Sequence, residues 1–398
     1  MRLTVICSEP PYPPNTGGRT DVWNRLKAFK DREVALQLIC WQSERFAPVT
    51  PEEVVAIQNL VDELIVCRIG FDFPSLLRRF CHLWRYPSQV ASRILRSSEL
   101  KPIQAAVERF RPDAIWIDQI YGAVLAKELS EVLRKPIYVR SQNIEHHYFG
   151  QQVLAEHRIK RKLALNLTSM HLRKFETDFL RESKIFFDIS VEDLSFWRTQ
   201  GLENGRWLPA ILSRPCIKVN SGDAFMYDVG FLGNLHTPNN VEGVTWLIDN
   251  VLPKLLEKRP EITVAIAGSN PEDAIRNLCS KHEQVILIEN PESAHDFFSS
   301  ASVLVNPVHR GSGVNVKSVE MLFTDRPIVT TSAGVRGLPD DVKQCFSIAD
   351  TPDSMSNMIL AYLHEHETLK GNRNRVRRYF LPDAIDQVLQ EMEKSLGN

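Results

Sequence analysis

Two successive α/β domains, each built on an open sheet of buried parallel strands, are what this sequence predicts, and three observations carry the prediction. The chain has 398 residues, enough for two domains of roughly 150–200 residues each. Short β-branched and aromatic runs alternate with longer amphipathic segments, as buried parallel strands with covering helices require. A stretch broken by Pro and Gly divides that alternation into two series.

In the first series the apolar runs are residues 3–7, 34–40, 64–66, 114–117, 137–139 and 185–189, with helical segments clearest at 18–30, 101–110, 121–133 and 151–181. Between 201 and 227 the chain reads GLENGRWLPAILSRPCIKVNSGDAFMY, where Pro209, Pro215 and Gly222 interrupt any periodicity. The boundary is therefore set there, giving domains 1–208 and 209–375. The second series has runs at 229–232, 262–267, 285–288, 303–305, 328–330 and 346–348, without repeating the first in sequence. In the tail 376–398, Leu381, Ile385, Val388, Leu389 and Met392 recur at helical spacing and Pro382 is allowed in a first turn. That predicts a terminal helix over 381–396, docked back toward the first domain. Ligands of open α/β sheets bind beyond the carboxyl ends of the strands, so function is expected in a crevice between the two sheets.

Composition narrows the class. With 43% hydrophobic and 24% charged residues, 18 Gly and 23 Pro, the chain is a packed globular protein rather than a disordered or collagen-like one. Forty-eight basic side chains against 49 acidic ones argue against a surface built to hold nucleic acid. Seven scattered Cys form no CxxC pair, so they encode neither a zinc ribbon nor a disulfide framework and read as core thiols in a reducing compartment. The first apolar run ends at Ser8-Glu9-Pro10-Pro11, too short for a signal peptide, and no run is long enough to cross a bilayer. A cytoplasmic protein is expected.

The most informative segment is 306–337, NPVHRGSGVNVKSVEMLFTDRPIVTTSAGVRG. A buried strand runs into Gly311-Ser312-Gly313, and a helix starts near Asn315, so backbone N–H groups and a positive helix end suit a phosphate. Lys317 and Glu320, three apart, share a face, while Val316, Val319 and Phe323 take the side that would bury. Lys317 can neutralise a diphosphate and Glu320 can accept two hydroxyls of a ribose or sugar. The bland alternative is a plain Gly turn and a surface ion pair. Two further loops follow strands: Gly17-Gly18, opening the first helix with Arg19 next, and Arg140-Ser141-Gln142-Asn143-Ile144-Glu145-His146-His147 after the run at 137–139. A structural role fits both His better than catalysis. Basic residues mixed with aromatics and leucines at 76–86 and 156–174 suit an anionic bilayer or a lipid-phosphate acceptor, or else form solvated helix faces.

These motifs together resemble the retaining glycosyltransferases of family 4. Gly311, Ser312, Gly313, Lys317 and Glu320 match a common subgroup, followed by Pro327-Ile328-Val329 and Gly334-Val335-Arg336-Gly337. Phe231-Leu232-Gly233 with Pro238-Asn239, a helix ending Val251-Leu252-Pro253, Ala267-Gly268, and Asn15-Thr16-Gly17-Gly18 add to the resemblance, which is strongest from 227 to 338. It implies the GT-B architecture, two facing Rossmann-like domains with a deep crevice, the first on the acceptor side and the second holding a nucleoside-diphosphate sugar. It further implies transfer of that sugar to an acceptor hydroxyl with retention, in glycan or glycoconjugate biosynthesis. Lys317 and Glu320 are then the catalytic candidates. Gly17, Gly18, Gly233, Arg310, Gly311, Ser312, Gly313, Val314 and Asn315 join them in holding the donor, and Arg19, Gln142, Asn143 and Glu145 are candidate acceptor or sugar contacts. The acceptor class is a glycan, a lipid-linked or a small molecule; with no Asp-x-Asp motif between strands, neither a metal nor another cofactor is expected.

The sequence departs from the family at three places. Ser312 replaces the first of two Glu residues, Gln142 replaces a His that could titrate, and Met321-Leu322-Phe323-Thr324-Asp325 replaces a run of small residues, with bulk expected to alter packing beside the donor. Two other readings stay open: a GT-B sugar-nucleotide epimerase, which lacks an obvious acid/base pair here, and a non-catalytic sugar-nucleotide-binding relative.

Overall fold

Thirteen strands build two all-parallel sheets in the computed structural model, which describes residues 1–156, 158–212, 225–311, 313–365 and 371–397. The first sheet holds β1 (Arg2–Cys7), β2 (Ala35–Ser43), β3 (Glu63–Ile69), β4 (Ala114–Asp118), β5 (Ile137–Ser141), β6 (Ile185–Asp188) and β7 (Gly205–Trp207) in the order β3-β2-β1-β4-β5-β6-β7. The second holds β8 (Tyr227–Leu232), β9 (Val264–Gly268), β10 (Val285–Glu289), β11 (Ala301–Asn306), β12 (Ile328–Thr330) and β13 (Ser347–Ile348) in the order β10-β9-β8-β11-β12-β13. Each order reverses once, between β1 and β4 and between β8 and β11. Such reversals open a gap at the carboxyl ends of the two central strands, because the following connections leave in opposite directions.

Both faces of each sheet are covered, which is why the strands read as nearly unbroken apolar runs. Alternation decides the face: Leu3, Val5, Ala114 and Trp116 enter one core of the first unit, and Ile6, Ile115 and Ile117 the other. In the second unit Val229, Phe231, Val303 and Val305 face one core, and Ala265, Ala267 and Leu304 the opposite one.

Chain contacts define one unit of Met1–Ile211 with Pro382–Asn398 and another of Leu212–Leu381, boundaries a few residues beyond those read from the sequence. Leu208 and Ile211 still pack into the first core, and Phe380 into a core of the second. The terminal helix is Ala384–Leu396, shorter than expected, with Pro382 ahead of it rather than in its first turn. Ile385, Val388 and Met392 of that helix lie in the first unit's core, and Arg32 donates to Asp383 and pairs with Asp386.

Three other expectations are corrected. The segment 151–181 is not one helix but Glu145–Ala155, Ile159–Ser169 and Leu172–Glu182; at the second break His171 adopts φ +66°, and Thr168 and Ser169 turn their hydroxyls back onto the Leu165 carbonyl. The helix Pro238–Trp246 does not end at Val251-Leu252-Pro253; it widens into a π turn at Leu247–Val251 and runs on to Lys258, the widening accommodating a proline that lacks an N–H. Finally, Cys81 is exposed whereas Cys7, Cys40, Cys67, Cys279 and Cys345 are buried; Cys216 lies outside the described residues. No helix among the described residues is long and apolar enough to cross a membrane.

Candidate functional site

In the second unit, the loops after β8 and β11 meet at the strand-order reversal. Gly233 follows β8 and donates its N–H to Ala267 at 3.0 Å. The approach is so close that a Cβ on Gly268 would stand 1.8 Å from the Gly233 carbonyl oxygen, so position 268 tolerates only glycine. Asn240, in the helix after that loop, donates to the Asn234 carbonyl at 2.9 Å, which leaves its Oδ1 free to accept from Lys317 Nζ at 2.5 Å. The Lys317 amine also lies 4.4 Å from the Phe231 ring centroid. Gly313, at φ +70°, turns the chain into the short helix Val316–Met321 that carries Lys317 and Glu320.

That helix is fixed from beneath. Ser318, fully buried, accepts from Asn306 Nδ2 at 2.8 Å and donates to the Gly334 carbonyl at 2.6 Å, which joins the end of β11 to the turn after β12. Leu322 and Phe323 are buried core side chains, and Asp325 pairs with Arg377 at 2.7 Å. Leu322 and Phe323 thus fill the interior of the unit, whereas Asp325 is largely exposed.

Lys317 is not on an open helix face, as the sequence suggested; its amine is enclosed. Burial depresses its pKa to about 7, with the Glu320 charge partly offsetting that effect. Burial likewise raises Glu320 to about 7 against the pull of Lys317. Lys317 bonds Asn240 rather than Glu320, and the Glu320 carboxylate has no hydrogen-bond partner among the described residues. Arg310 is exposed and pairs with Glu242 at 3.6 Å. Gly311, Val314 and Asn315 are half-buried along the same loop, and Ser312 lies outside the described residues.

In the first unit the reversal lies between β1 and β4. Cys7, Gly18, Arg19, Asp118, Gln119 and Gln142 surround a narrow cleft of about 30 Å³ there. Thr16 caps the helix Gly17–Lys30, accepting from the Arg19 N–H, and the Arg19 guanidinium donates to Glu9 at 2.6 Å. A Cβ on Gly18 would meet Gln142 Oε1 at 3.3 Å, so Gly18 and Gln142 are near neighbours. Gln119 donates to Gln142 Oε1 at 3.2 Å. Asn143 is half-buried and its carbonyl accepts from Ser141.

Glu145 does not line that cleft. It is buried and accepts from the Tyr121 hydroxyl at 2.5 Å, and burial pushes its pKa up to about 7. His146 also turns inward, with Nδ1 2.6 Å from Glu176; burial lowers the His to about 4 and raises Glu176 to about 8. Burial thus opposes charge on both members of the pair, while the Glu145 and His146 N–H groups donate to Glu176. The rings of Phe196 and Trp197 enclose His146.

Sequence reasoning missed the charges beneath the cleft. The parallel register sets Asp118 beside Arg140. Arg25 pairs with Asp21 at 2.7 Å and with Asp118, Arg140 grips both oxygens of Asp21 at 3.2 Å, and Arg140 also donates to the Leu208 and Pro209 carbonyls. Burial opposes ionisation of Asp21, but Arg140 and Arg25 outweigh it and lower its pKa. Charged residues at the carboxyl ends of otherwise apolar strands were the available signal. Asn240 was missed too, although it follows the Pro238-Asn239 motif. No group of three or more His, Cys, Asp or Glu among the described residues is arranged to hold a metal ion.

Residues 227–365 match the family model of Glycosyl transferases group 1. An uncharacterized 44.6 kDa protein in the cps region of Klebsiella pneumoniae is 24% identical over 371 residues, covering 91% of this chain and 90% of that protein. Anabaena Alr3699/HepE in complex with UDP superposes with a TM-score of 0.66 at 12% identity, over 99% of this chain and all of the other, and the same protein has been solved with UDP-glucose. Sucrose-phosphate synthase from Thermosynechococcus elongatus gives 0.67 at 12% identity, over 100% and 99% of the two chains. The chain thus has the two-unit Rossmann-like fold of GT-B glycosyltransferases, and its second unit matches the group 1 family of those enzymes.

Proposed function

We propose that the protein is a family 4 glycosyltransferase that moves a sugar from a nucleoside-diphosphate sugar to an acceptor hydroxyl with retention at the anomeric carbon, without a metal, in glycan biosynthesis. The observation that carries this reading is the enclosed Lys317 amine at the strand-order reversal, held by Asn240 beside the Glu320 carboxylate, which has no hydrogen-bond partner among the described residues. Departure of the diphosphate leaves an oxocarbenium-like centre, so the protein must balance growing phosphate charge and keep donor and acceptor in line. Lys317 supplies that positive charge, aided by the Gly311 and Gly313 amides and Arg310. Glu320 grips the nucleotide ribose. Gly233 leaves room for the donor, and in the first unit Gly18, Arg19, Gln142 and Asn143 are the candidate acceptor contacts.

The UDP and UDP-glucose complexes of the Anabaena neighbour support a nucleotide donor, and the relative from a cps region is consistent with a glycan product. The test is to incubate the protein with a panel of nucleotide sugars and candidate glycan and lipid-linked acceptors, following the anomeric proton by NMR. A glycoside with the donor's configuration is expected. An inverted product would overturn retention, and an altered sugar still on intact diphosphate would identify an epimerase instead.

A further inference from the structure

The helix Phe73–His82 of the first unit buries none of its residues, although it is rich in large apolar side chains. Phe73, Leu77, Phe80 and Trp84, the last in the turn after the helix, fall on one face at i, i+4, i+7 and i+11. Phe73, Phe80 and Trp84 are 77%, 72% and 73% exposed, where isolated surface aromatics would need no explanation but a continuous stripe does. The short helix Ser88–Ala91 packs against this element and also against Ile159–Ser169, so the two longer helices are neighbours through it. The helix Ile159–Ser169 likewise buries nothing and exposes Ile159, Leu163 and Leu167 along one face.

Charge is as one-sided as hydrophobicity. Residues 73–86 contain three Arg and no acid, and residues 158–174 contain six Lys or Arg and no acid, in a chain of net charge −1. Arg78 pairs with Glu99 and Arg161 with Glu156, while Arg85, Lys160, Lys162 and Lys174 have no acidic partner among the described residues. An exposed aromatic and aliphatic stripe flanked by unpaired cations is the pattern of a helix lying in a membrane interface, where rings enter the headgroup and acyl boundary and cations meet lipid phosphates.

We propose that these two helices dock the protein on an anionic phospholipid bilayer. The inference stands apart from the transferase reading, since it requires neither a donor nor turnover. Vesicle co-sedimentation of the full chain tests it, with phosphatidylglycerol–phosphatidylcholine vesicles compared with phosphatidylcholine alone at physiological salt. Binding to the anionic vesicles alone is expected, weakened about tenfold or more in a Phe73→Ser/Phe80→Ser/Trp84→Ser variant and in a Lys160→Glu/Lys162→Glu variant. All five side chains are exposed or half-exposed, so the far-ultraviolet circular dichroism should not change; Val132→Ser, at an exposed apolar residue of another helix, should bind as wild type. Absence of binding, equal binding to both vesicle types, or wild-type binding by both variants would overturn the proposal. So would a concentration-dependent dimer that the aromatic variant abolishes without any vesicle binding, because the stripe would then cover a second copy.

Discussion

The Lys317 amine donates to Asn240 Oδ1 at 2.5 Å, across the gap between the loops that follow β11 and β8. A neutral amide is a weak substitute for a counter-anion, and the Glu320 charge offsets the burial of the amine only in part. That arrangement suits a cation awaiting an anionic ligand. Replacing Lys317 by Ala should therefore weaken nucleoside-diphosphate binding by about ten- to a hundred-fold, the equivalent of one charge-assisted contact. Calorimetric titration with UDP and GDP checks this; affinity equal to wild type would remove Lys317 from the donor site.

The depressed pKa gives a pH signature. With the free amine titrating at about 7, a diphosphate that binds the charged form raises that pKa and takes up a proton. Affinity should thus fall as pH rises above 7, by up to about tenfold per unit until the bound-state pKa is passed. Titration at pH 7, 8 and 9 in buffers of different ionisation enthalpy reads both the slope and the proton. Lys317→Ala should flatten this fall, and a fall that survives in that variant would place the titrating group elsewhere; Glu320, also raised to about 7, ionises as pH rises and contributes in the opposite sense.

Much of this was legible in sequence because it is local. The run ending at Asn306, the glycines at 311 and 313, and the spacing of Lys317 and Glu320 position one another through a few bonds, so order along the chain implied placement. Strand types were equally readable, since parallel strands buried on both faces must be apolar throughout. What could not be read depends on register. Asp118 faces Arg140 only because β4 and β5 pair with a particular offset, and Asn240 reaches Lys317 across 77 residues. The inward turn of Glu145 is of the same kind, because its Tyr121 partner belongs to a different strand-to-helix connection.

The buried network should be a stability element rather than a titrating one. Arg140→Met leaves Asp21 with only Arg25 and the Leu208 and Pro209 carbonyls without their donor. Breaking a buried pair from one side costs roughly 3–5 kcal/mol. A marked fall in the first thermal transition is expected, with donor binding by the second unit retained. An unchanged melting profile would show that solvent replaces the guanidinium.

Metal removal separates transferase classes. If Lys317 balances the diphosphate, turnover should persist in excess EDTA at the wild-type rate. Activity lost on chelation and restored by magnesium or manganese would mean that a cation does this work instead, through residues other than those assigned above.

Glu320 is the most exposed of the assignments. Its half-buried carboxylate has no hydrogen-bond partner among the described residues, and burial raises its pKa to about 7 against the pull of Lys317, which leaves its oxygens free to accept from a ligand. Two neighbouring ribose hydroxyls would supply the missing donors, and charge-assisted bonds of that kind are worth roughly 1.5–3 kcal/mol, or about ten- to a hundred-fold in affinity. Glu320→Gln keeps the shape and one acceptor oxygen, so it should weaken nucleoside-diphosphate binding modestly. Glu320→Ala removes the acceptor and should weaken it more. Titration of UDP together with a 2′,3′-dideoxy analogue locates the contact: the wild type should discriminate strongly between them and Glu320→Ala hardly at all. Equal discrimination in the two proteins would sink the ribose assignment even if overall affinity had dropped.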